Sequence, residues 1–223
     1  MGGVIYLDMH HLSMLDWGLE RELIASITPR LVPLFDSGVP GHRTCLLVAS
    51  SNAGAATSVK FWADAARVGP ALASPELFPW CLANAPCGAI ARHFGVTGPN
   101  FTLLGAADAM MGAIETAAGQ FALDCADMAV VVVPQFAEVQ GETGHLFAFR
   151  LQRHDVSDSG NPVLITVRPA PVSPAAAPPP LPQAVETFVR LLRQLDDGGA
   201  IAGHISDGQR SFRLERPKGR GIG

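Results

Sequence analysis

The sequence has no basic excess. Lys plus Arg number 16 against 20 Asp plus Glu, a net charge of -4 over 223 residues, so no positive field exists to hold nucleic acid or an anionic membrane surface. No apolar run is long enough to cross a bilayer, since Met128 to Val133 is only strand length before Pro134. The four cysteines, Cys45, Cys81, Cys87 and Cys125, show no CxxC spacing, and reduced thiols in a cytoplasm are the expectation. The stretch Met1 to Asp8 lacks a basic run followed by an apolar one, and Tyr6 stands where a myristoylation motif requires Ser or Thr, so neither export nor lipidation is expected. His10-His11 have diverging side chains and no carboxylate or cysteine at ligand spacing. Ser50-Ser51-Asn52-Ala53-Gly54 lacks the repeated glycines and the lysine of a phosphate-binding loop. No metal and no cofactor are expected.

What is present is a 48% hydrophobic composition, enough for one substantial core and one globular domain with appendages. Thr44 to Ser50 is an apolar run followed by turn chemistry and an alanine-rich segment ending near Arg67, which reads as strand, turn, helix. A helical piece, Gly88 to Phe94, leads through Gly95 to Pro99 into the strand-like Asn100 to Leu104. Gly105-Ala106-Ala107 then turns the chain, and Asp108 is placed to cap a helix running to about Phe121. That helix is apolar on two sides: Met110, Ile114, Ala117 and Phe121 on one, Ala109, Met111, Ala113 and Ala118 on the other. Met128 to Val133, β-branched without alternation, predicts a strand buried on both faces, and His145 to Leu151 and Val163 to Val167 are further strand candidates. The alternation implies an α/β fold, a mixed, mostly parallel sheet with helices on both faces and right-handed crossovers.

Pro169 to Pro182 is so rich in proline and alanine that it predicts an extended spacer. Residues 1–168 then form the main unit, 169–182 the linker, and 183–223 a C-terminal appendage. In the appendage Val185, Phe188, Val189, Leu192 and Leu195 line one face of a short helix, and Asp207-Gly208 turns a hairpin between Ile201 to Ile205 and Arg210 to Leu214.

Leu72-Ala73-Ser74-Pro75-Glu76-Leu77-Phe78-Pro79, Ala83 to Ala91 (ANAPCGAIA) and Phe94 to Thr102 (FGVTGPNFT) follow one another in an order that resembles the β-ketoacyl synthases. The likeness continues through Gly112-Ala113-Ile114 and the Ala126-to-Val133 strand, and Gly141-Glu142-Thr143-Gly144 looks like a worn form of the family's next turn. It covers roughly Thr44 to Arg150 and implies a thiolase-like half-fold. In that family the matching strand delivers a nucleophilic cysteine to a helix N-terminus, where dipole and amides favour the thiolate. The position falls on Ala107, and a methyl group can neither attack a thioester nor hold an acyl chain. The family's histidines and lysine belong to a second lobe, whose strand-helix pattern the residues after Arg150 do not repeat.

The resemblance therefore implies no catalytic residue. It points to a chain length factor-like subunit of a polyene-type type II polyketide or fatty acid system, heterodimeric with an active ketosynthase and reaching an acyl carrier protein through that complex. In the family the strand matching Asn100-Phe101-Thr102-Leu103-Leu104 pairs across the dimer axis, and the helix after the first strand helps floor the partner's acyl tunnel. Ala53, Ala56, Val59 and Phe61 are its candidate lining, and Met110 and Met111 lie on the two-sided helix that needs cover, from a partner or from the C-terminal helix. Two alternatives stay open: a decarboxylase acting on malonyl carrier protein to make starter units, and a free-standing acyl-binding scaffold. Cys87 with His93, Glu115, Glu138 and the basic tail of Arg213, Arg216, Lys218 and Arg220 are explained by packing or solvation.

Overall fold

The fold is taken from a computed structural model, which describes residues 4–6, 12–16, 20–105, 107–135, 143–153, 168–169, 181–196, 202–206 and 211–215. In chain order the elements are β1 (Val4–Tyr6), β2 (Leu12–Asp16), α1 (Glu20–Ile27), α2 (Val32–Phe35), β3 (Thr44–Ser50), α3 (Ala55–Val68), α4 (Ala85–Phe94), β4 (Asn100–Leu104), α5 (Ala107–Ala122), β5 (Met128–Gln135), β6 (Thr143–Gln152), β7 (Arg168–Pro169), α6 (Leu181–Asp196), β8 (Ala202–Ser206) and β9 (Ser211–Glu215). Short 3-10 turns at Pro70–Leu72 and Phe78–Cys81 interrupt the path from α3 to α4. Among the described residues no helix is long and apolar enough to cross a membrane.

Six strands form the main sheet. β3 lies between β4 and β5, parallel to both; β6 continues the sheet antiparallel to β5, and β1 and β2 pair with β6. The run of branched residues in β3 and β5 is explained by two cores. Cys45, Leu47, Ala49, Ala129, Val131 and Val133 face one side, while Leu46, Val48, Met128, Val130 and Val132 face the other. Alternate residues of a strand point to opposite faces, so a strand covered on both sides has no polar positions to alternate. The second side is closed by α1 and α4 through Leu23, Ile24, Ile27 and Ile90. The first is closed by α5.

The cover that α5 requires comes from within the chain. Ala109, Met110, Met111, Ala113, Ile114 and Ala117 are buried in one core with Phe188 and Leu192 of α6 and Leu214 of β9. Phe188 meets the rings of Phe147 and Phe149 at centroid distances of 5.8 and 5.4 Å, and full burial of such a ring contributes about 1.5–3 kcal/mol. A three-stranded sheet, β7-β9-β8, completes this layer, with β8 antiparallel to β9.

Several sequence expectations shift. The strand expected to stop at Pro134 continues to Gln135. The parallel pairing with β3 ends at Val132, so Pro134 has a strand neighbour only on the β6 side, opposite Leu146, and proline's missing N–H is tolerated at such an edge position. Asp108 falls inside the first turn of α5 rather than at its cap, because the helix already starts at Ala107. Thr143 and Gly144, read as half of a turn, are in β6, paired with Asp16 and Leu15. Gly141 and Glu142, His10 and His11, Glu138, Arg216, Lys218 and Arg220, the Asp207-Gly208 turn, Val163 to Val167 and nearly all of the Pro169-to-Pro182 spacer lie outside the described residues.

A charged clasp holds the sheet end away from α3. Arg43, just before β3, grips Asp127 with two hydrogen bonds of 2.8 Å and also reaches Asp124, which pairs in turn with Arg153 beyond β6. The guanidinium holds both carboxyls below the usual carboxylate range.

Candidate functional site

β4 runs parallel to β3, with Leu104 opposite Ser50, and the Gly105 N–H donates to the Ser50 carbonyl at 3.1 Å. The strand therefore ends level with β3, and Ala107 heads α5 one turn later. Ala106 lies outside the described residues. The Asp108 carboxylate is folded back over Gly105, so that a side chain added there would meet its Oδ1 at 2.7 Å. This strand-to-helix elbow is the position the sequence singled out, and its backbone is a helix N-terminus headed by an alanine.

Two of the described thiols are locked in the core. Cys87 is buried in α4 with its Sγ 3.5 Å from the Phe101 carbonyl, and burial pushes its thiol up to about 11. Cys45 is buried in β3 and pushed up to about 12 by the same cause. Both stay protonated at neutral pH and fill core space. His93 is exposed at the end of α4 with its ring edge-on to Phe94, away from the elbow's sequence neighbourhood. Glu115 is exposed on α5 and Arg213 on β9. Among the described residues no group of His, Cys, Asp and Glu is arranged to hold a metal ion.

The candidate lining residues do not share one environment. Ala53 is buried beneath the turn before α3, Ala56 is half-buried, and Val59 is 72% exposed. Phe61 is half-buried with its ring 5.8 Å from Phe78. Met110 and Met111 are buried in the core that α5 shares with the sheet and α6, and they reach no surface. On β4, Asn100, Phe101 and Leu104 are exposed while Thr102 and Leu103 are half-buried, and among the described strands β4 pairs only with β3.

The structure adds residues that the sequence did not single out for this role. Trp62 is 71% exposed on α3, and Phe78 is 58% exposed on the 3-10 turn packed against that helix. Leu72 and Leu82 are exposed on the same connection. Gly54, at φ +83°, lets the chain enter α3 against this turn; an added Cβ would meet the Cys81 carbonyl oxygen at 2.7 Å. The available signal was local: Leu72, Phe78 and Leu82 are apolar residues in a proline-broken stretch that has no helical or strand period to bury them.

No protein-family model and no curated protein matches the chain. Among solved structures, it is similar to a chain of the ketosynthase ApeO in complex with its chain length factor ApeC from Xenorhabdus doucetiae, at TM-score 0.65 and 13% identity, over 97% of this chain and 100% of that one. It is also similar to the ishigamide ketosynthase/chain length factor, at TM-score 0.50 and 16% identity, over 71% of this chain and 49% of that one. A third likeness, at TM-score 0.50 and 12% identity, is to AntDE with AntF, a type II polyketide synthase acyl-carrier protein in complex with its ketosynthase bound to the hexaketide, over 63% of this chain and 45% of that one. The chain thus spans about half the length of the second and third. Its architecture is the thiolase-like α/β fold of the ketosynthases.

Proposed function

We propose that this chain is a non-catalytic ketosynthase-like subunit that pairs with an active β-ketoacyl synthase and shapes its acyl tunnel, as a chain length factor does, in a type II polyketide or fatty acid system of the polyene kind. One observation carries the proposal: Ala107 stands at the head of α5, where the fold's acyl-transfer chemistry needs a thiolate. A scaffold that keeps the elbow but not the nucleophile is suited to assist a partner's reaction.

Two further observations support pairing. The likeness to a chain of the complex between ApeO and its chain length factor ApeC extends over essentially the whole of both chains. The exposed apolar side chains are also, taken together, of interface size. Val59, Trp62, Phe78, Leu82, Phe101 and Leu104 together expose on the order of 600 Å² of apolar surface, close to the share that one partner contributes to a stable interface. The β4 edge would add a row of unpaired backbone groups ready for a partner strand.

In this arrangement 1–168 is the pairing lobe, 169–182 the spacer and 183–223 the intramolecular cover for α5. Ala56, Val59 and Phe61 would line the floor of the partner's tunnel, with Ala53, buried in the core, behind them. Small residues admit a longer chain, bulky ones shorten it. The partner synthase would engage the acyl carrier protein, and the subunit would work where that system does, in the cytoplasm.

Co-expression with a cysteine-bearing ketosynthase encoded beside this chain tests the proposal. The expected result is a 1:1 complex on gel filtration whose acyl products change length when Ala56 is replaced by Phe. Monomeric behaviour beside the synthase, or carbon dioxide release from malonyl carrier protein by the purified chain alone, would overturn it.

A further inference from the structure

The helix that carries the exposed Val59 and Trp62 starts without a cap of its own. Gly54 precedes α3 and carries no side chain to accept a first-turn N–H, and an α-helix leaves its first four such groups without internal partners. The acceptor comes from a different part of the chain. Glu20, the first residue of α1, accepts the Thr57 N–H through Oε2 at 3.0 Å, and the Thr57 hydroxyl donates to the same oxygen. Glu20 is only 1% exposed and Thr57 is buried with it. The carboxylate sits at the positive end of the α3 dipole.

This is a costly arrangement for mere packing. Glu20 Oε1 is buried and has no hydrogen-bond partner among the described residues. A buried, thinly partnered carboxylate disfavours the folded state, and an apolar residue of similar size would fill the space without that cost. All of its described hydrogen bonding goes to one turn of one helix. α1 is itself fixed, because Leu23, Ile24 and Ile27 are buried in the core beneath the sheet. The Ser58 hydroxyl, 3.4 Å from the Cys81 carbonyl, is a further polar tie at this end of α3.

We propose that Glu20 is a positioning residue for α3: it locks the helix's first turn to α1 and so sets the angle at which Ala56, Val59 and Trp62 are presented to the partner. The proposal rests on the pairing described above, and its test separates the two. Glu20→Met fills the same space without an acceptor; Glu20→Gln keeps an oxygen able to accept both Thr57 donors. In the free protein, Glu20→Met leaves the buried Thr57 N–H without its acceptor and should exchange that amide about ten-fold faster, in excess of any change at the β5 amides. Glu20→Gln should exchange Thr57 within about three-fold of the parent. Affinity for the ketosynthase encoded beside the chain should fall about ten-fold in Glu20→Met and recover in Glu20→Gln. Parent-like Thr57 exchange in Glu20→Met, equal acceleration in β5, or undiminished pairing would each overturn the proposal. A parent chain that binds no synthase would overturn the pairing itself, while Thr57 exchange would still decide whether Glu20 holds α3.

Discussion

The two helices that flank the elbow, α3 and α5, meet opposite fates. α5 is apolar on both sides and is covered on both, by the sheet and by α6 with Leu214 of β9. α3 is mixed, and Val59 and Trp62 are exposed on it, with Phe78 exposed on the turn packed against it. Among the described residues the C-terminal elements close the apolar side of α5, while Val59 and Trp62 of α3 stay exposed. Exposed apolar side chains of this kind mark a candidate interaction surface.

The comparison can be broken at four places. The largest effect is expected at the cover: Phe188→Ala should lose about 3–5 kcal/mol of unfolding free energy in urea, because the cavity opens between α6 and the Phe147 and Phe149 rings. A loss below about 1 kcal/mol would mean that α6 is not integral to the core. At the bare face the sign of the test reverses. Trp62→Ala should leave free-chain stability within about 0.5 kcal/mol while weakening pairing by about 2 kcal/mol, roughly thirty-fold by titration calorimetry.

Gly54→Ala should fall between these, costing about 1–3 kcal/mol in thermal unfolding, since φ +83° is strained for alanine and its Cβ would strike the Cys81 carbonyl. The smallest effect concerns the clasp at the far end of the sheet. Asp124 and Asp127 are held below their ordinary carboxyl value of 3.8, so their contribution is complete above that pH and is lost as pH falls through their lower folded values. Arg43→Ala should flatten this acid-side loss in urea midpoints measured from pH 5 downward, without touching pairing. An unchanged slope would show that the exposed clasp is screened out by solvent.

Much of the frame was legible in the chain. The strands at Thr44–Ser50 and Asn100–Leu104 begin and end where the apolar runs do, because turn residues bound them tightly on both sides. The continuous Met128-to-Val133 run correctly announced two covered faces. What covered them was not legible. The apolar face of α6 shows in its spacing, but periodicity states that a face is buried and never against which element, so its seat on α5 had to come from the structure. Trp62 and Phe78 were hidden for the opposite reason: sequence rules place aromatics inside, and only the fold shows which remain outside. Glu20 left no sequence signal, since its partner Thr57 lies 37 residues away and capping patterns are read locally.

Amide exchange compared between the free chain and its complex with the neighbouring synthase addresses both faces at once. Slowed exchange across Asn100 to Leu104 and Ala55 to Val68, with Val185 to Leu192 unaltered, is the predicted result. Protection appearing at Val185 to Leu192 instead, or nowhere, would contradict the division of labour between the covered face and the open one.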